Sequence, residues 1–124
     1  IVGIKNKILI SDRRIKLIKE TNSTKKLIKL YDSCNIFVLP SYTEGSPKVL
    51  LESISRLRPV IIFHDIKHVK KKFKGIFLCQ RNPGDFNKKV NQILNNYNKI
   101  IKQLKKNKIN TKKEFQNELC KIIK

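Results

Sequence analysis

Apolar residues along this chain fall into short runs separated by polar, lysine-rich stretches, and the period of the runs changes along it. Ile36-Phe-Val-Leu39 is an unbroken apolar run with β-branched and aromatic members, stopped by Pro40. Such a run predicts a short strand buried on both faces, as in a parallel sheet. Tyr42 to Ser46 is polar and predicts a loop. Pro47 has a fixed φ and no N–H, which suits a helix's first turn with Ser46 as N-cap. Val49, Leu50, Ile54 and Leu57 then share one face at helical spacing, with Leu51 beside it. Arg56 and Arg58 put positive charge at the helix end, where it complements the dipole. Pro59 ends the helix, and Val60 to Phe63 predicts the next buried strand. Strand, helix and strand this closely joined make a right-handed parallel βαβ crossover.

The same patterning predicts the flanking elements. Ile1 to Ile10 is apolar but cut by Gly3 and by Lys5-Asn-Lys7, as in the remnant of upstream βα units. Ile15 to Ile18 predicts a strand. Thr21 to Thr24 is a turn and cap cluster for a helix reaching about Ser33, with Leu27, Ile28, Tyr31 and Cys34 on one face. Past Phe63, Asp65-Ile66 is expected in a loop, followed by a short helix that Gly75 breaks. Ile76 to Cys79 predicts another buried strand and Arg81 to Gly84 a turn. Asp85 is the expected N-cap of one long helix carrying Phe86, Val90, Ile93, Leu94, Tyr97, Ile100, Ile101 and Leu104 at helical spacing. Thr111 and Glu114 have the spacing of a capping box for a last helix, with Phe115, Leu119, Ile122 and Ile123 inward. The fold class is therefore α/β: a Rossmann-like parallel sheet of about four to five strands with helices on both faces.

The chain's 124 residues suffice for one domain with a real core. A formal net charge of +20 changes the picture more. Three sources fit it: compositional bias, since lysine, isoleucine and asparagine all abound as in AT-rich coding; attraction to an anionic membrane surface; and nucleic-acid binding. The lysines are spread along the chain and few aromatic residues stand free to stack bases, so no nucleic-acid partner is expected. Cys34, Cys79 and Cys120 are far apart and show no metal-ligand spacing; buried reduced thiols in a cytoplasmic protein are the default. His64 and His68 stand four apart, but no carboxylate completes a metal site, and none is expected. No apolar run is long enough for a transmembrane helix.

Two carboxylates stand out on the central unit. Glu44 lies in the loop beyond the first strand's carboxyl end, and Glu52 follows eight positions later on the helix. A ligand at that strand end would meet the loop, the helix N-terminus and Glu52, whose side chain leans back towards it. Unbonded N–H groups at the helix start favour a phosphate. That leaves both glutamates as charge-assisted acceptors for hydroxyls. Taken singly, each glutamate also fits a solvated surface position.

Pro40-Ser41-Tyr-Thr-Glu44-Gly45-Ser-Pro-Lys-Val-Leu-Leu-Glu52, then Arg58-Pro-Val-Ile61, resembles the donor-site signature of retaining glycosyltransferases of the GT-B fold, the large family 4-like group. The Pro-Ser, the Glu-Gly, the spacing of the glutamates and the closing Pro-Val match in order. The resemblance extends with less force from about Ile15 to the end. It implies that residues 1–124 are one partial domain, the nucleotide-sugar-binding half of a GT-B enzyme. The N-terminal acceptor domain and the start of the donor domain would then lie outside this chain. It also implies that residues 86–124 supply C-terminal helices, the last of which can cross to the other domain.

Carried over, Glu44, Gly45 and Ser46 contact the donor sugar and Glu52 binds the ribose. Pro47, Lys48 and Val49 complete the donor-binding set, and Glu44 is the expected catalytic residue. The implied reaction is metal-independent transfer from a nucleotide-sugar donor to a glycan or lipid-linked acceptor. No cofactor is expected beyond the donor substrate, and no activity is expected from this portion alone. The implied location is cytoplasmic, with peripheral contact at an anionic inner membrane face. Pro47 stands where the family often has glycine, and Ser53-Ile-Ser55 where it has a small-residue pair. The Arg and Lys that clamp the diphosphate in the family have no match here. Rival readings are a non-catalytic Rossmann-like nucleotide-binding domain and a basic nucleic-acid-binding domain.

Overall fold

The structure is a computed structural model that describes residues 12–111, 113 and 114, with Lys71 and Lys72 described by their backbone only. The chain forms two compact units, Ile1–Ser33 and Cys34–Lys124.

In the first unit the described residues hold one helix, α1 (Thr24–Asp32), capped by Ser23, whose hydroxyl accepts from the Lys26 N–H. Tyr31 is buried, whereas Ile28, expected on the same inward face, is 39% exposed. The strand expected at Ile15–Ile18 is reduced to an isolated bridge at Ile18. Its start is turned instead: Asp12 accepts the Ile15 N–H through its carbonyl and the Arg14 N–H through its carboxylate. Local Asx bonding of this kind competes with extended pairing. Ile1 to Ile10 lies outside the described residues.

The second unit is a three-stranded parallel sheet in the order β1 (Phe37–Leu39), β2 (Val60–Phe63), β3 (Ile76–Cys79). Phe37 pairs with Val60 and Val60 with Ile76, so all three strands start level and end at one edge. Among the described residues the sheet is thus smaller than the four to five strands expected. Val60, Ile61 and Ile62 have no exposed surface. Successive strand residues point to opposite faces, so both faces of β2 are covered.

The β1–β2 crossover is α2 (Lys48–Ser55). Its buried face is Leu50, Ser53 and Ile54, each within 1% of full burial; Val49, expected inward, is 36% exposed. Ser53 is accepted in the core because its hydroxyl donates to the Arg58 carbonyl. The helix closes with Leu57 N–H on the Ile54 carbonyl and Arg58 N–H on the Ser53 carbonyl, a Schellman motif. Leu57 therefore sits at φ 57, a position usually given to glycine.

The β2–β3 crossover is η1 (His64–Lys72), a 3-10 segment kinked at Ile66. Asp65 and Ile66 belong to it rather than to a loop, because Ile66 is needed in the core, where it is fully buried beside Val69. Beyond β3 come α3 (Pro83–Asn95) and α4 (Tyr97–Leu104), where one long helix was expected. The break is at Asn96, which has non-helical dihedrals and donates its side-chain amide to the Gln92 carbonyl. Asparagine favours such local bonds over helix continuation. The N-cap of α3 is Asn82 rather than Asp85: its side chain accepts from the Asp85 N–H at 2.8 Å, and Pro83 takes the first turn. Asp85 instead accepts the Gln80 N–H at 2.7 Å, which holds its carboxyl below the usual range. The Thr111 and Glu114 capping box forms with both reciprocal bonds; the helix expected after it lies outside the described residues.

Candidate donor site

Because β1, β2 and β3 are parallel and in register, their carboxyl ends present three connections along one edge: Pro40–Pro47, the start of η1, and Gln80–Asn82. Ligands of open α/β sheets bind outside such an edge. The segment Pro40–Pro47 carries most of the residues singled out by the sequence. The packing explains why its shape is defined although most of it is exposed.

Glu44 is half-buried, and its Oε1 accepts the Ser41 hydroxyl at 2.7 Å. The Glu44 carbonyl lies 2.8 Å from His68 Nε2. A carbonyl only accepts, so this nitrogen carries the hydrogen and donates. His68 thus contributes by pinning the loop from η1. From the other side comes Arg81, just past β3. Its Nη1 and Nη2 donate to the Pro40 and Ser41 carbonyls at 3.2 and 2.9 Å, and its Nε donates to Asp65 at 2.8 Å. The guanidinium also lies 3.7 Å from the centre of the Tyr42 ring and 4.4 Å from that of Phe63.

Gly45 and Ser46 are exposed. A Cβ built on Gly45 would meet nothing within 4 Å, so glycine is not demanded here by contacts inside the chain. Pro47 is buried and occupies the N-cap of α2, where Ser46 was expected. Its extended backbone, at φ −70 and ψ 114, is what Pro47 and the pre-helical position share. Pro47 has no side-chain acceptor, so the N-cap residue itself makes no side-chain cap on α2. The Leu50 N–H turns back onto the Pro47 carbonyl, and the helix dipole leaves partial positive charge at this end. Lys48 and Val49 are exposed in the first turn, and Glu52 is exposed one turn further along.

The structure therefore brings Ser41, Glu44, His68 and Arg81 into one hydrogen-bonded loop assembly, while Glu52 stands on the helix that follows. Sequence reasoning missed Ser41 as a partner of Glu44, and missed His68 and Arg81. Arg81 had one legible signal: an arginine two positions past a strand in a chain whose basic residues are mostly lysine.

Other chemistry is sparse among the described residues. No group of three or more His, Cys, Asp or Glu could hold a metal ion. Cys79 is buried, and desolvation pushes its thiol up, so it stays protonated and inert. A hollow of about 410 Å³ is open and lies at the opposite end of the sheet, lined by Phe73, Gly75, Gln103 and three lysines among others. Beside the loop, Gly45, Ser46, Pro47 and His68 line only a shallow depression. The loop, rather than the larger hollow, combines defined carboxylate geometry with a helix N-terminus. No helix among the described residues is long and apolar enough to cross a membrane.

No curated protein and no solved structure gives a significant match to this chain. The family model described as glycosyl transferases group 1 matches residues 8–113, which takes in the sheet, the loop assembly and α2. A parallel α/β unit with the Pro-Ser, Glu-Gly and Glu positions at its carboxyl edge, matched over most of its length by that model, belongs to the glycosyl transferases group 1 family.

Proposed function

We propose that this chain is the donor-binding part of a retaining glycosyltransferase that takes a sugar from a nucleotide-sugar and passes it to a glycan or lipid-linked acceptor on the cytoplasmic side of a membrane. The observation that carries this is the juxtaposition of a pinned carboxylate with the positive end of the α2 dipole. Glu44 is held by Ser41 in the loop that runs directly into the N-terminus of α2, where the N-cap residue is a proline with no side-chain acceptor.

The leaving diphosphate carries negative charge, which a helix N-terminus stabilises. Lys48 in the first turn adds a cation beside it. Glu52 accepts hydroxyls of the ribose on one side. Gly45 and Ser46 let the backbone approach the sugar on the other, where Glu44 accepts its hydroxyls and favours a cationic ring in the transition state. The helix dipole and Lys48, rather than a bound metal, supply the counter-charge in this scheme. The lysine-rich surface, including Lys70, Lys74 and Lys106 around the larger hollow, would draw the protein to anionic lipid; vesicle sedimentation should show binding that weakens as salt rises.

The direct test is a panel of nucleotide-sugars offered to the full-length protein with and without EDTA. Release of nucleoside diphosphate from at least one donor, undiminished by EDTA, supports the proposal. Nucleotide binding without turnover of any donor would favour a non-catalytic nucleotide-binding role.

A further inference from the structure

We propose that Arg81 is the positioning residue of the donor loop: it sets where Glu44 stands without itself touching the donor. The inference rests on the glycosyl-transfer reading above.

Arg81 lies outside the signature segment, forty positions beyond Ser41, yet it makes its contacts inside that segment. Three of its N–H groups are directed at three different acceptors: Asp65 on η1, and the carbonyls of Pro40 and Ser41. The two carbonyls are consecutive, so the planar end of Arg81 fixes the direction in which the chain leaves β1. Ser41 is also the residue whose hydroxyl orients the Glu44 carboxylate. Displacing Ser41 therefore displaces Glu44. The Tyr42 and Phe63 rings hold the guanidinium plane, and Asp65 holds its Nε edge, so the clamp arrives ordered. Its side chain is only 29% exposed.

Lysine cannot do this. An ammonium is a point charge on a flexible stem and cannot direct three donors from one plane while lying against aromatic rings. Nor does Arg81 have the position of a ligand cation, because its guanidinium is engaged by the protein on its edge and on its ring contacts. Its role is to make the loop rigid before the donor arrives, which lowers the cost of assembling the site.

The test compares wild type, Arg81→Lys, Arg81→Ala and Asp65→Asn in the full-length protein. Arg81→Lys and Arg81→Ala are expected to lower kcat about tenfold or more, the scale of a misplaced reacting group. The Kd for nucleoside diphosphate, set by α2 and Glu52, should stay within about twofold of wild type. Free guanidinium should restore part of the turnover of Arg81→Ala. Asp65→Asn, which keeps both carbonyl bonds, should show the same pattern at about threefold and covers the case in which the Arg81 variants do not fold. Independently of any activity, ¹⁵N order parameters at Tyr42–Ser46 should fall from rigid values to below about 0.6 in Arg81→Ala, with the strands unchanged. If wild type turns over no donor, the glycosyl-transfer reading fails while the relaxation arm still reports on the clamp. Unchanged loop order in Arg81→Ala, wild-type kcat in Arg81→Lys, or a parallel loss of kcat and diphosphate affinity would each overturn the positioning role.

Discussion

The Ser41 hydroxyl donates to Glu44 Oε1 at 2.7 Å, so the loop glutamate is oriented by the residue three positions before it. Hydrogen bonds to ionised groups contribute about 1.5–3 kcal/mol, enough to hold one carboxylate rotamer. Ser41→Ala is therefore expected to lower sugar transfer about tenfold, with a loss of global stability no larger than that bond because no core residue is touched. Steady-state kinetics beside a melting curve checks this; unaltered turnover would show that Glu44 needs no such support.

Glu52 is assigned to the nucleoside end of the donor. Glu52→Ala is expected to weaken nucleoside diphosphate binding by about 1–3 kcal/mol, the scale of a lost hydrogen bond to a charged group. Calorimetry on the folded variant is the measurement. Because Glu52 is exposed on α2, its removal should leave folding intact.

The pattern of apolar runs made the core of the fold legible. The strands at Phe37–Leu39, Val60–Phe63 and Ile76–Cys79, and the helix between the first two, stand where short β-branched runs and a Pro-bounded amphipathic segment put them. What the pattern could not show depended on three-dimensional partners. Val49 and Leu50 are adjacent apolar residues in the sequence, and only packing on β2 decides that Leu50 is inside while Ser53 takes the next buried place. The break at Asn96 and the cap at Asn82 rest on side-chain bonds that compete with helix continuation, and composition records these weakly. For the site, Glu44 and Glu52 were readable from local spacing. His68 and Arg81 were not, because His68 reaches the loop from η1 and Arg81 from the segment between β3 and α3.

Leu57 carries a left-handed backbone at φ 57 because the Schellman closure of α2 requires it. Its half-buried side chain packs against the core and offsets that strain. Leu57→Ala loses the packing and keeps the strain, whereas Leu57→Gly loses the packing and relieves the strain. The glycine variant should be the more stable of the two by about 1 kcal/mol. Urea denaturation of both variants decides the order, and an alanine variant at least as stable would refute the strain.

Acid should loosen the Arg81 clamp. The hydrogen bond from Arg81 holds the Asp65 carboxyl below its ordinary value of 3.8. A depressed folded pKa contributes stability that is present above the unfolded value and is lost as pH falls through the folded one. The stability gap between wild type and Asp65→Asn should be constant near neutral pH and shrink only as pH drops below 3.8. Denaturation curves across that range test the sign. A gap that widens in acid would contradict it.

In the proposed mechanism the pinned loop carboxylate acts on the sugar while α2 holds the diphosphate. Measuring kcat and nucleoside diphosphate Kd together for Glu44→Gln in the full-length protein separates the two roles. Turnover is expected to fall about a hundredfold or more, as for loss of a placed electrostatic group, with the Kd for the free diphosphate nearly unchanged. Transfer at the wild-type rate, or diphosphate affinity lost as badly as in Glu52→Ala, would contradict it.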